Sequence, residues 1–561
     1  MPATSAGSIF EKHRQRFEQA QIACRERHHW SAFPELHEHP QKENGQREAQ
    51  SRFQSMLHQG FALEQPGIRA DVGEEESPYT QEALGIRYPQ SDIDVLFDAA
   101  GQAMDAWALA GIETRTGVLL EVVDRLFQQM FDIATAVMHT AGQSPNMSYT
   151  GSGVNALDRA IEALVYAYEA MCWTPQTARW ERSFGKAQIA LNKRYRIVPR
   201  GVAVCFSCAS FPTWNAWPSM MASLATGNAV IVKPHPGSVL PMALSVTIFR
   251  DVLAEFGFDP NLVTLALDTH ANPIGKQLVK HPKTAIVDFT GSVEFGSWVE
   301  ANAHPALCYT ETAGVNTVVL DSCDDLDAVL RSLATTLCMF SAQMCTSPQN
   351  IYLPAEGVKE GRGEAMRLIP AAEVKRRLAA AVDNLIQDPR KAAMILACVQ
   401  APQTLTLLRE LESLGEVLLQ PQAYPHPDYP NARTSTPLML GVTPAQRALY
   451  LGERFGPVSF VIECASADDA LMQATQDVRE AGGLTAFVYS RDEDFLERAE
   501  QGYARAGAQL TCNLTGPMPL NFAAAYSDFH VTGLNPAGNA SLTELGFVAQ
   551  RFRITQSRRP A

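Results

Sequence analysis

The sequence has no long apolar run. No uncharged segment approaches the roughly 18 residues that a bilayer-spanning helix needs. The opening stretch MPATSAGSIFEKHRQRFEQAQ carries Glu11, Lys12 and Arg14 where a secretory leader needs an apolar core. These two gaps predict a cytoplasmic chain with no membrane partner. An excess of basic charge is missing too: 46 Lys and Arg stand against 60 Asp and Glu, a formal net charge of −14. Nucleic acid and anionic membranes attract the opposite sign, so neither is expected as a partner. The eleven cysteines are odd in number and widely scattered, the usage of a reducing compartment rather than of a disulfide framework. Cys205 and Cys208 form a CxxC in AVCFSCASF, but there is no second pair to complete a zinc site. Both are therefore read as buried structural thiols. His37 and His39 in HEHP are read as solvated loop residues, and no metal is expected. There is no GxGxxG, no repeat of fixed period and no long low-complexity tract.

What is present suggests two to four domains, since the chain has 561 residues and domains run to about 100–200. Residues 1 to 90 are rich in Gln, Glu, His and Arg and include the acidic GEEESP at 73–78. Within them Ile9, Phe10, His13, Phe17, Ala20 and Cys24 recur at helical spacing. From 91 to 172 three stretches carry an apolar stripe opposite charges, as amphipathic helices do. Residues 179–199 alternate around a Gly, as in a protruding hairpin. The rhythm then becomes strand, turn, helix: GVAVCFS, NAVIVKP, NLVTLAL and TAIVDF are short apolar runs with helical stretches between them. It resumes after residue 311 with NTVVLD, QNIYLP, FGPVSFVIE and TAFVYS. Buried strands alternating with helices predict mostly parallel sheets and two α/β domains.

Some positions carry chemistry. Strand TAIVDF runs into Thr290, Gly291 and Ser292 at a helix start, where pyrophosphate binds readily. Taken alone, an ordinary turn accounts for these residues better. Lys233 ends strand NAVIVKP, before Pro234, and points into the crevice at the sheet's carboxyl edge. It could hold a ribose or phosphate, or simply be solvated. Cys345 in FSAQMCTSPQN and Glu311 in YTETAGVNTVVL supply a soft nucleophile and a separate carboxylate. Such a pair can form a thiohemiacetal with an aldehyde, release hydride to a nicotinamide and hydrolyse the resulting thioester.

The order FTGS (289–292), ETAG (311–314), AQMCT (342–346) and GERFGP (452–457) resembles the aldehyde dehydrogenase superfamily. ATGN (225–228) with VKP (232–234), and the late GGLTAFVYSRD, match in order too. The resemblance covers about residues 90 to 555. It implies a Rossmann-like dinucleotide-binding domain at 91–178 and 197–310 and an α/β catalytic domain at 311–526. A small β oligomerisation arm at 179–196 and 540–561 and an N-terminal extension at 1–90 complete the expected α/β fold. Position by position, Cys345 looks like the nucleophile and Glu311 like the base for the deacylating water. Lys233 with Pro234 looks like the adenosine-ribose contact, Gly291 and Ser292 like the turn under the pyrophosphate. Glu453 with Phe455 looks like the grip on the nicotinamide ribose.

Three departures from the family pattern stand out. Ser210, in SFPTWN, occupies the place of the Asn that donates to the oxyanion, with Asn215 as a weaker substitute. Thr312-Ala313 replaces Leu-Gly. Pro236 stands where many NAD-preferring relatives have a Glu, which removes a repulsion and allows NADP; NADP is expected, with NAD also allowed. The extension, EEESPYTQEALGIRYP and SFPTWN most resemble the PaaN-type ring-opening aldehyde dehydrogenases of phenylacetic acid degradation. That implies a CoA-linked aldehyde, 3-oxo-5,6-dehydrosuberyl-CoA semialdehyde, oxidised to the acid. It also implies a homo-oligomer, dimer or tetramer, and a separate enoyl-CoA hydratase-like ring-opening partner. The alternatives are a CoA-acylating aldehyde dehydrogenase and a non-catalytic member of the fold.

Overall fold

The computed structural model describes residues 6–312, 314–518, 530–540 and 544–561. Ala313 and residues 519–529 and 541–543, which fall within the expected ETAG motif, catalytic domain and arm, lie outside the described residues. The first helix, Ala6–Glu26, follows the expected stripe: Ile9, Phe10, His13, Phe17 and Ala20 are buried. That face packs on the amphipathic helix Ile112–Gln128, where the His13 ring meets the Glu121 carboxylate at 3.0 Å. His37 is exposed beside Glu35 and Glu38, while His39 packs its ring edge-on against Phe131. The helical region continues through Ile93–Leu109, Met130–Ala141 and Ala156–Cys172. A nine-residue π-helical turn, Met147–Asn155, precedes the last of these.

Two sheets carry the rest of the chain. The first is a five-stranded parallel sheet in the order Val263–Leu265, Val230–Pro234, Val202–Ser207, Thr284–Thr290, Leu307–Glu311. Its strand order reverses at Val202–Ser207. In open α/β sheets ligands bind at that reversal, beyond the strands' carboxyl ends. The second sheet has seven strands: Glu416–Leu419, Leu438–Val442, Val458–Cys464, Pro348–Pro354, Asn316–Leu320, Thr485–Tyr489 and Gln509–Cys512. All are parallel except the first, an antiparallel edge. The eight apolar runs read from the sequence are strands here. Leu307–Glu311, Leu438–Val442, Gln509–Cys512 and the edge Glu416–Leu419 were not legible in it, being short or interrupted by polar residues.

The hairpin Thr177–Phe184 and Ala187–Pro199 pairs with the terminal strand Phe552–Pro560 in a three-stranded antiparallel arm. Arg551, fully buried just before that strand, anchors it. Its guanidinium forms a two-pronged ion pair with Asp288, at 2.5 and 2.8 Å, on strand Thr284–Thr290.

Candidate active site

The carboxyl ends of the parallel strands open into a cavity of about 760 Å³. Ser207, Lys233, Thr290 and Glu311 line it from the five-stranded sheet, and Cys345, Glu453 and Phe455 from the segments around the seven-stranded one. Parallel strands place all their carboxyl ends along one edge, so residues far apart in sequence converge there.

Cys345 follows helix Leu326–Cys338 through an unusual turn. Phe340, Ser341 and Ala342 are three consecutive non-glycine residues with positive φ, at 48°, 49° and 52°. Each such residue costs about 1–3 kcal/mol and persists only where its surroundings enforce it, as they do here. Ser341 Oγ donates to the Leu396 carbonyl (2.9 Å), and Gln343 Nε2 donates to the Cys398 carbonyl (2.9 Å). On the far side Asn316 Nδ2 donates to the carbonyls of Cys345 (2.7 Å) and Ser347 (2.9 Å). The thiol is thus fixed from both sides of its backbone. Gln349, four residues on, ties this segment to the GERFGP loop: it accepts from Arg454 N–H (2.6 Å) and donates to the Tyr450 carbonyl (3.0 Å).

Glu311 ends the edge strand Leu307–Glu311. The segment 530–540 returns to this strand: Thr312 N–H donates to the Ala537 carbonyl (2.7 Å), and Gly538 forms a bridge with Glu311. This return brings His530, 2% exposed, into the cavity wall. Its Nε2 lies 2.9 Å from Glu311 Oε1 and 3.4 Å from Cys345 Sγ. Ligating atoms of all three groups lie within 4.8 Å of one another. Burial alone would raise the Glu311 carboxyl; the charge and hydrogen bond of His530, helped by Asn215 and Cys345, hold it below the ordinary carboxylate value. The Cys345 thiol moves the other way. Burial first, and then the negative charge of Glu311, push it well above an ordinary thiol.

At the opposite end Lys233 Nζ forms a 2.7 Å ion pair with Asp268. Burial lowers the lysine, and Asp268 opposes that. Ser292 caps helix Val293–Asn302, its Oγ accepting from Phe295 N–H. A Cβ on Gly291 would come within 2.7 Å of the Phe289 ring, so the turn needs glycine. Burial raises the Glu453 carboxyl to about 8.

All the sequence-derived site residues line the cavity except Pro234, which ends its strand beside Lys233. Ser210 is on the wall, its carbonyl accepting from Gln143 Nε2 at 2.7 Å. The Asn215 amide donates to Thr290 Oγ1 (3.0 Å), while its Oδ1 is buried without a partner among the described residues. Cys205 is a buried thiol as expected, but Cys208 lines the cavity. His530, Asn316 and Asp268 were missed. Their partners are 185, 29 and 35 residues away in sequence, and none sits in a spaced motif.

A family model described as the aldehyde dehydrogenase family matches residues 71–515. A crystal structure described as an NAD-dependent aldehyde dehydrogenase from Burkholderia multivorans is 43% identical to this chain. It superposes with a TM-score of 0.95 over 99% of each chain. The 1-pyrroline-5-carboxylate dehydrogenase of Bacillus licheniformis is 24% identical over 443 residues, 76% of this chain and 78% of its own length. The N-succinylglutamate 5-semialdehyde dehydrogenase of Paraburkholderia xenovorans is 25% identical over 438 residues, covering 77% and 81%.

Proposed function

Because the chain belongs to the aldehyde dehydrogenase family and is an oxidoreductase acting on aldehydes, we propose that it oxidises an aldehyde to the free acid with NAD. Cys345 is the nucleophile in this reading and Glu311 the base. The observation that carries it is the convergence of thiol and carboxylate, brought from separate segments to one cavity wall. The Cys345 sulfur adds to the aldehyde carbon to give a thiohemiacetal. A bound nicotinamide supplies the acceptor for the hydride, leaving a thioester on Cys345. Glu311 takes a proton from water, hydroxide adds to the thioester carbonyl, and the Cys345 thiolate leaves. The low-lying Glu311 is ionised at neutral pH, as a base must be.

The residues at the other end fit a dinucleotide. The Ser292-capped helix start suits the pyrophosphate. Glu453, half-buried in the cavity wall, suits ribose hydroxyls that donate to it. NAD is preferred over NADP in this reading. The carboxylate of Asp268, paired with Lys233, supplies the negative charge against a 2′-phosphate that Pro236 does not.

For the substrate we favour an aldehyde whose nearer carbons carry no charge. Met147, Phe211, Trp214 and Met344 line the cavity, and among the described residues its only Lys or Arg side chains are Lys233 and Lys276. A substrate carboxylate would want a cation near the thiol. A CoA-linked semialdehyde of the phenylacetate-degradation type meets this condition, with its charge at the distant CoA end. Retained Glu311 favours water over CoA as the resolving nucleophile. The arm's exposed Phe184, Ile189, Val198 and Ile554 support a homo-oligomer.

The test is rapid mixing with a panel of aldehydes, with and without CoA, against NAD and NADP. The wild type is expected to give a burst of one NADH per site and the free acid, and Cys345→Ala no burst. An undiminished burst in Cys345→Ala would sink the reading, and CoA consumed in step with NADH would replace water by CoA.

A further inference from the structure

We propose that His530 is a third catalytic residue: it accepts the proton of the Cys345 thiol, which leaves Glu311 free for the water. This rests on Cys345 being the nucleophile. The imidazole Nε2 is in reach of both partners, 3.4 Å from Sγ and 2.9 Å from Glu311 Oε1. The ring is 2% exposed and tilted against Trp214, with ring centroids 6.1 Å apart. The returning backbone at Ala537 and Gly538, bonded to Thr312 and Glu311, holds the segment that bears it. Such a placement aims the nitrogen rather than leaving it to rotamer chance.

The chemistry requires an acceptor there. A thiol enclosed beside a carboxylate ionises less readily than a free one. Glu311 is a poor acceptor for its proton, because the fold holds that carboxyl low. An imidazole is intrinsically about two units more basic than a carboxylate. The transfer starts with the hydrogen on Nδ1 and the Nε2 lone pair toward sulfur: the S–H bond breaks, an N–H bond forms, and the thiolate and imidazolium that result are the state in which Nε2 donates to Glu311 across 2.9 Å. The new N–H then faces two anions, the thiolate and the Glu311 carboxylate, and can donate to either. When hydrolysis later expels the thiolate, the proton returns to sulfur, so His530 is unchanged over a cycle. Among the described residues Cys208 and Glu453 also face the cluster, and either, when ionised, disfavours the thiolate. Arg159 lies over the Trp214 ring, 5.7 Å from its centroid.

The experiment is alkylation of Cys345 in the full chain by iodoacetamide, without aldehyde or cofactor, followed by peptide mass across pH. The wild-type rate is expected to exceed that of the variants at every pH below the range in which an ordinary thiol ionises. His530→Gln is expected to react about tenfold or more slowly near pH 7, its rate climbing with pH as the lone thiol ionises. His530→Ala is expected to behave likewise and to recover with added imidazole, which a merely structural role would not allow. Wild-type rates in both variants would overturn the proposal. So would a loss in both that imidazole fails to reverse. Alkylation needs no turnover, so this outcome is separate from the burst of Cys345→Ala, which judges the nucleophile itself.

Discussion

The two ends of the cavity are built on different plans. At the end proposed to react, Cys345 and Glu311 crowd around one nitrogen of His530: His530 lowers Glu311, and burial together with Glu311 raises Cys345. At the end proposed for the cofactor the paired charges are one ion pair, Lys233 with Asp268. The supports differ as well. The reacting end is closed by the late segment 530–540. The cofactor end is braced by the N-terminal extension: Gln65 exchanges hydrogen bonds with Leu265 (2.8 and 2.9 Å), Gln90 donates to the Leu267 carbonyl (3.0 Å), and Glu74 accepts from His270 N–H (2.8 Å). Groups that share a proton act as a unit and fail together, whereas an isolated pair tunes preference and leaves the chemistry running.

The largest effect that follows is at Glu311. Glu311→Gln removes the proposed base for deacylation, so steady turnover is expected to fall about 10²–10⁴-fold while a burst of NADH survives. The burst is also expected to slow, because the amide cannot stabilise an imidazolium on His530. A burst at the wild-type rate would show that the reacting end is not coupled, and the contrast between the two ends would be lost. Next in size is Asp268→Ala. Deleting this carboxylate frees a buried ammonium, and the NADP to NAD ratio of kcat/KM is expected to rise about tenfold or more. The burst amplitude with NAD should stay at one per site. A collapse of both cofactors to no activity would instead place Asp268 in the structural core of the site.

What the sequence made legible divides along the same line. Cys345 and Glu311 lie in spaced motifs, and Lys233, Gly291 and Glu453 fall at strand ends or loops whose position follows from the αβ rhythm. His530 was invisible because nothing local marks it: FHVTGL is an unremarkable stretch until the chain folds back on strand Leu307–Glu311. Asp268 lay hidden for a similar reason, since only strand order sets the end of Val263–Leu265 beside Lys233. The extension was legible as a helix and as an acidic stretch, and no further. Its acids are not spent on solvent. Glu76 pairs with Arg433, and Glu75 accepts from the N–H groups of Val239 and Leu240 at 2.6 and 2.8 Å.

Glu75 gives the smallest effect and the one most particular to the comparison, because it caps the helix Leu240–Glu255 that follows the Lys233 strand. Burial pushes its carboxyl up to about 7, against the opposing bonds from Tyr88, Leu240 and Val239. The folded chain thus binds a proton there more tightly than the unfolded chain, whose carboxyl ionises near 4.5. Stability from this group is full below about 4.5 and drains away as pH climbs to about 7. Glu75→Gln, neutral at every pH, is expected to flatten that part of a plot of thermal midpoint against pH. Glu75→Ala leaves two buried N–H groups without their acceptor and should cost about 1–3 kcal/mol. If the extension braces only the cofactor end, Glu75→Ala will weaken NAD binding in titrations and leave the alkylation rate of Cys345 where it was. An equal loss at the thiol would mean that the two ends are one mechanical unit.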